Sequence, residues 1–297
     1  MLMVGGKSTP PPTDMNRTLK RWFPLFLLPT LIAFLIGFVV PFFVGLYLSF
    51  CEFATIENPT FVGFANYLRV FTADSNFWYS FGFTALFTLV SVVLINLCAF
   101  AVALALTRGI RGTNLFRTLF FMPNLIGGIV LGYIWKMILN YGVLIPLFGK
   151  DLSYNSTFGF WGLVVVLAWQ QIGYMMIIYI SGLQSVPEEL SEAAKIDGAG
   201  RWQILRHVTV PMVMPSITIC IFLTLTNSFK LYDQNLALTD GKPGRMTEML
   251  AMAIRNTYGV TPKSHGTAQA MAVIFFLIVA VIALFQLRST HKREVQQ

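Results

Sequence analysis

The chain alternates long apolar runs with shorter polar stretches. Six runs stand out: Trp22 to Phe50, Phe81 to Leu106, Thr118 to Leu139, Phe158 to Leu183, Met212 to Leu231 and Thr267 to Leu287. About 20 apolar residues in a helix suffice to cross a bilayer core. The pattern therefore predicts an all-α membrane protein with six transmembrane helices. The first run is too long for a signal-peptide core and offers no small-residue cleavage site, so it reads as an uncleaved span, with Pro29 and Pro41 as candidate bends. Residues 1–21, with Pro10-Pro11-Pro12, form a polar tail, 22–287 the membrane domain and 288–297 a short basic tail. Residues 52–76, 140–157 and 232–266 read as loops.

One polar stretch differs from the others because it reads as well-formed helix. From Ser185 to Pro215 the chain runs SVPEELSEAAKIDGAGRWQILRHVTVPMVMP. Ser185 with Glu188 three residues on predicts a capping box, and Pro187 falls in the first turn. Glu188, Glu189 and Glu192 put negative charge at the positive end of the helix dipole. Leu190, Ala193 and Ala194 make an apolar stripe, and Asp197-Gly198-Ala199-Gly200 breaks the helix with residues that tolerate positive φ. A second amphipathic run follows, carrying Trp202, Leu205 and Val208, and ends near Pro211 and Pro215. A solvent-exposed hairpin accounts for the polarity. Small alanines and a tryptophan on such a hairpin are better accounted for by docking of a soluble partner, because alanine permits close approach and tryptophan is enriched in interface cores.

Composition agrees with the membrane assignment: 56% of the 297 residues are hydrophobic and 11% charged. The net charge of +8 does not signal nucleic acid, because the basic residues lie in ones and twos beside apolar runs. They orient the chain instead. The side holding both tails and the 107–117 and 184–211 loops carries four basic residues in the N-terminal tail, three in each loop and three in the C-terminal tail. The opposite side carries six: Arg69, Lys150, Lys242, Arg245, Arg255 and Lys263. The positive-inside rule then predicts cytoplasmic termini and a cytoplasmic 185–211 loop.

Catalytic and metal motifs are missing. Cys51, Cys98 and Cys220 have no paired spacing, His207, His265 and His291 are isolated, and there is no P-loop or nucleophile elbow. Any ATP use must come from a separate subunit, and no metal or cofactor is expected in this chain. The predicted spans hold almost no acidic residues, which disfavours an ion-coupled secondary transporter. Uncharged polar groups do occur there: Asn96, Asn124, Gln170, Gln171, Asn227 and Ser228. They serve either as interhelical hydrogen bonds or as the lining of a path for a neutral polar solute, with Trp169, Tyr174, Phe229 and Tyr232 as sugar-facing aromatics. Gln170, Asn227, Ser228, Tyr232 and Asp233 are the candidate substrate-path residues. Gly128 and Gly132 in the third run form a helix-packing pair.

Glu192-Ala193-Ala194, with Asp197-Gly198-Ala199 and then Val208-x-Val210-Pro211, resembles the EAA loop of ABC importer permeases, with valines at both aliphatic positions. Tyr232-Asp233, Leu238-Thr239-Asp240-Gly241-Lys242-Pro243-Gly244, Thr247-Glu248 and Ala268-Gln269-Ala270 are similar to the stretches that follow this loop in the maltose-type, oligosaccharide-importing branch; Tyr232 and Lys242 depart from its usual Phe and Gly. The resemblance covers the chain from about Leu19. It implies the six-span type I ABC importer permease fold with a cytoplasmic coupling helix, in a bacterial plasma membrane. It also implies a second homologous permease, two ATPase subunits carrying ATP and Mg, an extracellular solute-binding protein and a di- or oligosaccharide substrate. Another polar solute, such as a glycerol phosphodiester, is the alternative. Glu192, Ala193, Ala194, Asp197, Gly198 and Pro211 are the residues that the resemblance assigns to ATPase coupling.

Overall fold

The computed structural model describes residues 13–72, 76–109, 111–261 and 264–291. The triple proline and Lys7 of the expected N-terminal tail, Lys263, and Lys292 and Arg293 of the C-terminal tail lie outside the described residues. Apart from one two-residue strand pair, every element is helical. In order they are α1 (Thr13–Phe34), α2 (Val40–Leu48), β1 (Cys51–Glu52), β2 (Thr60–Phe61), α3 (Ala65–Val70), α4 (Phe77–Leu106), α5 (Thr113–Phe121), α6 (Gly128–Met137), α7 (Ile145–Phe148) and α8 (Ser156–Gln184). Then follow α9 (Glu188–Ile196), α10 (Arg201–Ile204), α11 (Val210–Met212), α12 (Met214–Phe229), α13 (Asp233–Leu238), α14 (Leu250–Thr257) and α15 (Ser264–His291). Among the described residues five helical stretches are long and apolar enough to cross a membrane, and six if the segments 201–212 and 214–229, bent by 71°, count as one.

Three joints between helices are π-helical: Leu35–Val39, Ile138–Leu144 and Leu205–Thr209. Each ends two residues before a proline, namely Pro41, Pro146 and Pro211. Proline lacks the N–H that would bond four residues back, and its ring crowds that carbonyl. Widening the turn by one residue keeps the helix continuous past the ring. Pro41 therefore marks a distortion in the first span, whereas Pro29 sits inside unbroken α1.

Two predicted spans are corrected. The third does not run from Thr118 to Leu139. It starts as α5, breaks through the 3₁₀ turn Met122–Leu125 and extended Ile126 and Gly127, then resumes as α6 and stays helical to Phe148. Pro123 and the Gly127-Gly128 pair disfavour helix at that point. The fifth span is shorter than its apolar run. α12 has 16 residues, about 24 Å at 1.5 Å per residue, which falls short of a bilayer core of about 30 Å.

The missing length lies in residues 232–266, read above as a polar loop. Following α12 from its N-terminus, Ser216 lies against Gly182, Cys220 Sγ donates to the Met175 carbonyl, Asn227 bonds Gln171, Gln234 bonds Gln170, Leu238 lies against Gly162 and Thr239 against Gly159. The partner numbers fall steadily, so α12 and α13 together run antiparallel to α8, with a break at 230–232. α14 is folded in as well: Leu250 N donates to Thr84 Oγ1, two turns inside α4, at 2.9 Å.

The core is α8 packed between α4 and α12. α4 turns a stripe of small and hydroxyl-bearing residues inward, including Ser80, Thr84, Ser91, Ala99 and Ala103, all fully buried. Such residues let helices approach closely where no hydrophobic drive between helices exists. Gly173 of α8 goes furthest: a Cβ there would overlap the Phe120 carbonyl of α5. Gly128 and Gly132 do form a packing face, but against α13, with Cβ positions 2.8 Å from Asp233 Cβ and 2.6 Å from Ala237 Cβ.

Candidate solute cavity and docking hairpin

Two broken spans meet one unbroken one. The break in the third span leaves the Ile126 carbonyl without a helical partner, and Gln170 Nε2 of α8 donates to it at 3.0 Å. Gln170 Oε1 in turn accepts from Gln234 Nε2, at the start of α13 just past the other break, at 2.7 Å. The next residue, Gln171, accepts at Oε1 from Asn227 Nδ2 at 3.4 Å, just before that break. An unsatisfied backbone group at membrane depth costs several kcal/mol, so irregular backbone persists there only where protein groups or a wet cavity satisfy it. Gln170 meets that condition for the Ile126 carbonyl.

The cavity has a volume of about 280 Å³ and is lined by Leu167, Gln171, Asn227, Lys230, Leu231, Tyr232, Asp233 and Gln234. Three of the five candidate path residues line it directly: Asn227, Tyr232 and Asp233. Gln170 stands behind the wall. Ser228 does not reach it; the side chain is fully buried and its hydroxyl donates to the Thr224 carbonyl at 2.6 Å. Of the four aromatics, only Tyr232 lines the cavity. Phe229 is buried against Phe81 and Phe275, Trp169 pairs with Trp135 and Tyr174 with Phe121. Lys230 and Gln234 were missed as wall residues. The unbroken polar string Tyr232-Asp233-Gln234-Asn235 directly after an apolar run was the available signal.

Beyond this level, toward the N-terminal end of α8, a buried polar cluster holds α13 and α14 in place. Asn235 Oδ1 accepts from Met249 N at 3.0 Å, and its Nδ2 donates to the Thr247 carbonyl at 2.7 Å and to Thr239 Oγ1 at 2.9 Å. Glu248 is 0% exposed. Its carboxylate accepts from Arg245 Nε at 2.8 Å, Asn76 Nδ2 at 2.9 Å and Asn256 Nδ2 at 2.6 Å. A buried carboxylate persists only with such a full set of donors. The Thr247-Glu248 pair is thereby structural.

At the opposite end of α8 the chain turns into the polar hairpin. The expected Ser185–Glu188 capping box is absent: Ser185 Oγ donates back to the Gly182 carbonyl at 2.8 Å, and α9 starts after extended Pro187 with no side-chain cap. Ser185 is two residues too early, because Pro187 holds the chain out of helix until Glu188. The helix end agrees with the expectation. Gly198 has φ +82°, Ala199 N donates to the Ala194 carbonyl at 2.9 Å and Gly198 N to the Lys195 carbonyl at 3.1 Å. This is the paired bonding of a Schellman cap, which needs a left-handed residue where glycine stands. None of α9 or α10 is buried, and Ile196 and Trp202 are 85% and 72% exposed. Glu192, Ala193 and Asp197 are exposed on the same hairpin, Ala194 is half-buried, and Pro211 lies where the chain re-enters the bundle.

The comparisons with known proteins agree with this architecture. Residues 97–294 match the family model described as "Binding-protein-dependent transport system inner membrane component". The chain is 44% identical over 282 residues to the "Probable starch degradation products transport system permease protein" of Thermoanaerobacterium thermosulfurigenes, covering 93% of this chain and 96% of that one. It is 34% identical over 286 residues to the "Multiple sugar-binding transport system permease protein" of Streptococcus mutans, covering 93% and 97%. A solved bacterial ABC transporter involved in the import of the acidic polysaccharide alginate superposes with a TM-score of 0.78 at 20% identity, covering 94% of this chain and 99% of that one, a likeness of fold. With the family model spanning well over half of its length, this chain belongs to the inner membrane components of binding-protein-dependent transport systems.

Proposed function

We propose that this chain is one permease subunit of an ATP-driven importer of neutral di- or oligosaccharides, and that the cavity at the two breaks is part of the sugar path. The observation that carries this is the cavity wall: amides from Gln171, Asn227 and Gln234, the Tyr232 ring and hydroxyl, and apolar Leu167 around about 280 Å³. Amides pair with hydroxyls in both directions, and an aromatic face suits a sugar ring. Lys230 and Asp233 are both on the wall, and no ion pair joins them among the described residues. A phosphate-bearing solute would gain from Lys230 but meet repulsion from Asp233, which favours an uncharged solute. The starch-product and multiple-sugar systems of the two relatives support the same class.

ATP hydrolysis belongs to separate subunits, and the α9–α10 hairpin is their docking element. Leu190, Ile196 and Trp202 supply apolar contact, Ala193 and Ala194 permit close approach and the Gly198 cap sets the turn. Both termini face the cytoplasm with this hairpin, residues 52–72 and 240–261 face the solute-binding protein, and a second homologous permease completes the path. Closure of the ATPase pair moves the hairpin as a rigid body and re-orients the bundle between inward and outward openings.

The test is purification of the tagged chain in mild detergent, identification of the chains that come with it, and uptake of labelled maltotriose after reconstitution. A second permease and an ATPase whose turnover rises with loaded binding protein are expected. Recovery of this chain alone, moving solute on an ion gradient, would sink the proposal.

A further inference from the structure

We infer that Gln170 is a positioning residue for solute selection, turning the Gln234 amide so that Gln234 Oε1 faces the cavity as a hydrogen-bond acceptor. The inference rests on the sugar-path reading of the cavity. It follows from donor and acceptor chemistry along three groups. The Ile126 carbonyl, freed by the break in the third span, can only accept. Gln170 must therefore turn its NH₂ toward Ile126, as the 3.0 Å bond records, which leaves Gln170 Oε1 pointing the other way. An oxygen there can only accept, so Gln234 must turn its own NH₂ toward Gln170, at 2.7 Å. Gln234 Oε1 is left over. It has no protein donor among the described residues, and Gln234 is on the cavity wall whereas Gln170 is not.

An isolated amide can flip and offer either group to a ligand. A backbone carbonyl at the head of the relay removes that freedom. The wall at Gln234 then reads a donor, a sugar hydroxyl, and leaves a solute lacking that hydroxyl with an unmet acceptor. Sites that hydrogen-bond a hydroxyl reject analogues lacking it far more sharply than apolar pockets reject a missing methylene.

The experiment is maltotriose uptake by proteoliposomes containing the whole importer, normalised to co-purified ATPase, with a series of singly deoxygenated maltotrioses as competitors. In the unaltered complex one deoxy analogue is expected to compete about tenfold more weakly than maltotriose, the scale of one lost hydrogen bond. Gln170→Leu and Gln234→Leu should each raise the half-saturation concentration about tenfold and erase that penalty, and the double variant should be no worse than either single one. Gln170→Glu still offers Gln234 an acceptor, so it should keep the penalty. A Gln170→Leu complex with a lower maximal rate but unchanged half-saturation and unchanged deoxy penalty would reduce Gln170 to a packing role and overturn the inference. If the unaltered complex takes up no maltotriose, or if Gln171→Ala and Asn227→Ala leave half-saturation unchanged, the cavity reading fails and takes this inference with it.

Discussion

At the scale of single residues, the protein depends on a few side chains and on one missing side chain. Gly173 lets the Phe120 carbonyl of α5 rest directly on α8. Gly173→Ala is therefore expected to cost about 1–3 kcal/mol, the usual range for overpacking, and to lower the melting temperature in detergent. Gly82→Ala, with nothing within 4 Å of the added methyl, should be neutral or slightly stabilising. Equal melting temperatures for the two variants would show that the α5–α8 contact yields freely. Glu248 is the second sensitive point. Arg245→Ala removes the one charged donor, among the described residues, to a carboxylate that is 0% exposed, a loss of about 1.5–3 kcal/mol for a charge-assisted bond. Glu248→Ala removes three bonds at once and should be worse, and unfolding followed by size-exclusion fluorescence ranks the two.

At the scale of elements, the proposed coupling rests on the hairpin. α9 ends on a Schellman cap whose left-handed residue is Gly198, at φ +82°. Any residue with a Cβ is strained there, and aspartate also adds charge to an apolar docking face. Gly198→Asp, a bulky replacement at Ala194, or Trp202→Ala should abolish or cut uptake severely while the chain inserts normally and melts within a few degrees of the unaltered protein. Normal uptake with any two of these would remove the hairpin from the coupling path. The π-helical joints belong to this scale too. The one at Leu205–Thr209 lies between the hairpin and α12, so the proposed docking surface and the span proposed to bear the solute path are joined by a widened turn rather than by a regular helix.

For the whole molecule the central question is which face is which. Impermeant maleimide added to intact cells should label Glu57→Cys and Val260→Cys on a cysteine-free background. Trp202→Cys should label only after permeabilisation, and the opposite pattern would invert the proposed orientation. Within that frame α8 is the fixed column. It holds α12 through Cys220 and Asn227, and α13 through Gln234, Leu238 and Thr239. The proposed solute cavity lies where those two helices are joined.

Much of this was legible in the linear pattern. Hydropathy and run length determined the helical membrane class, with five or six candidate crossings among the described residues, because the cost of burying charge in lipid acts on each segment separately. The exposed polar hairpin and its Gly198 turn were also determined locally, since a helix stop needs only neighbours in sequence. The Ser185 cap was misread because Pro187 overrides it from two residues away. Tertiary structure alone decided that the third and fifth spans are broken, that residues 233–239 lie beside α8 rather than outside, and that Ser228 faces away from the cavity. The physical reason is satisfaction of polar groups. Gln234 and Asn235 look like loop residues until Gln170, Thr247 and Met249 arrive from distant parts of the chain to bond them, and the Ile126 carbonyl can leave its helix only because Gln170 is waiting beside it.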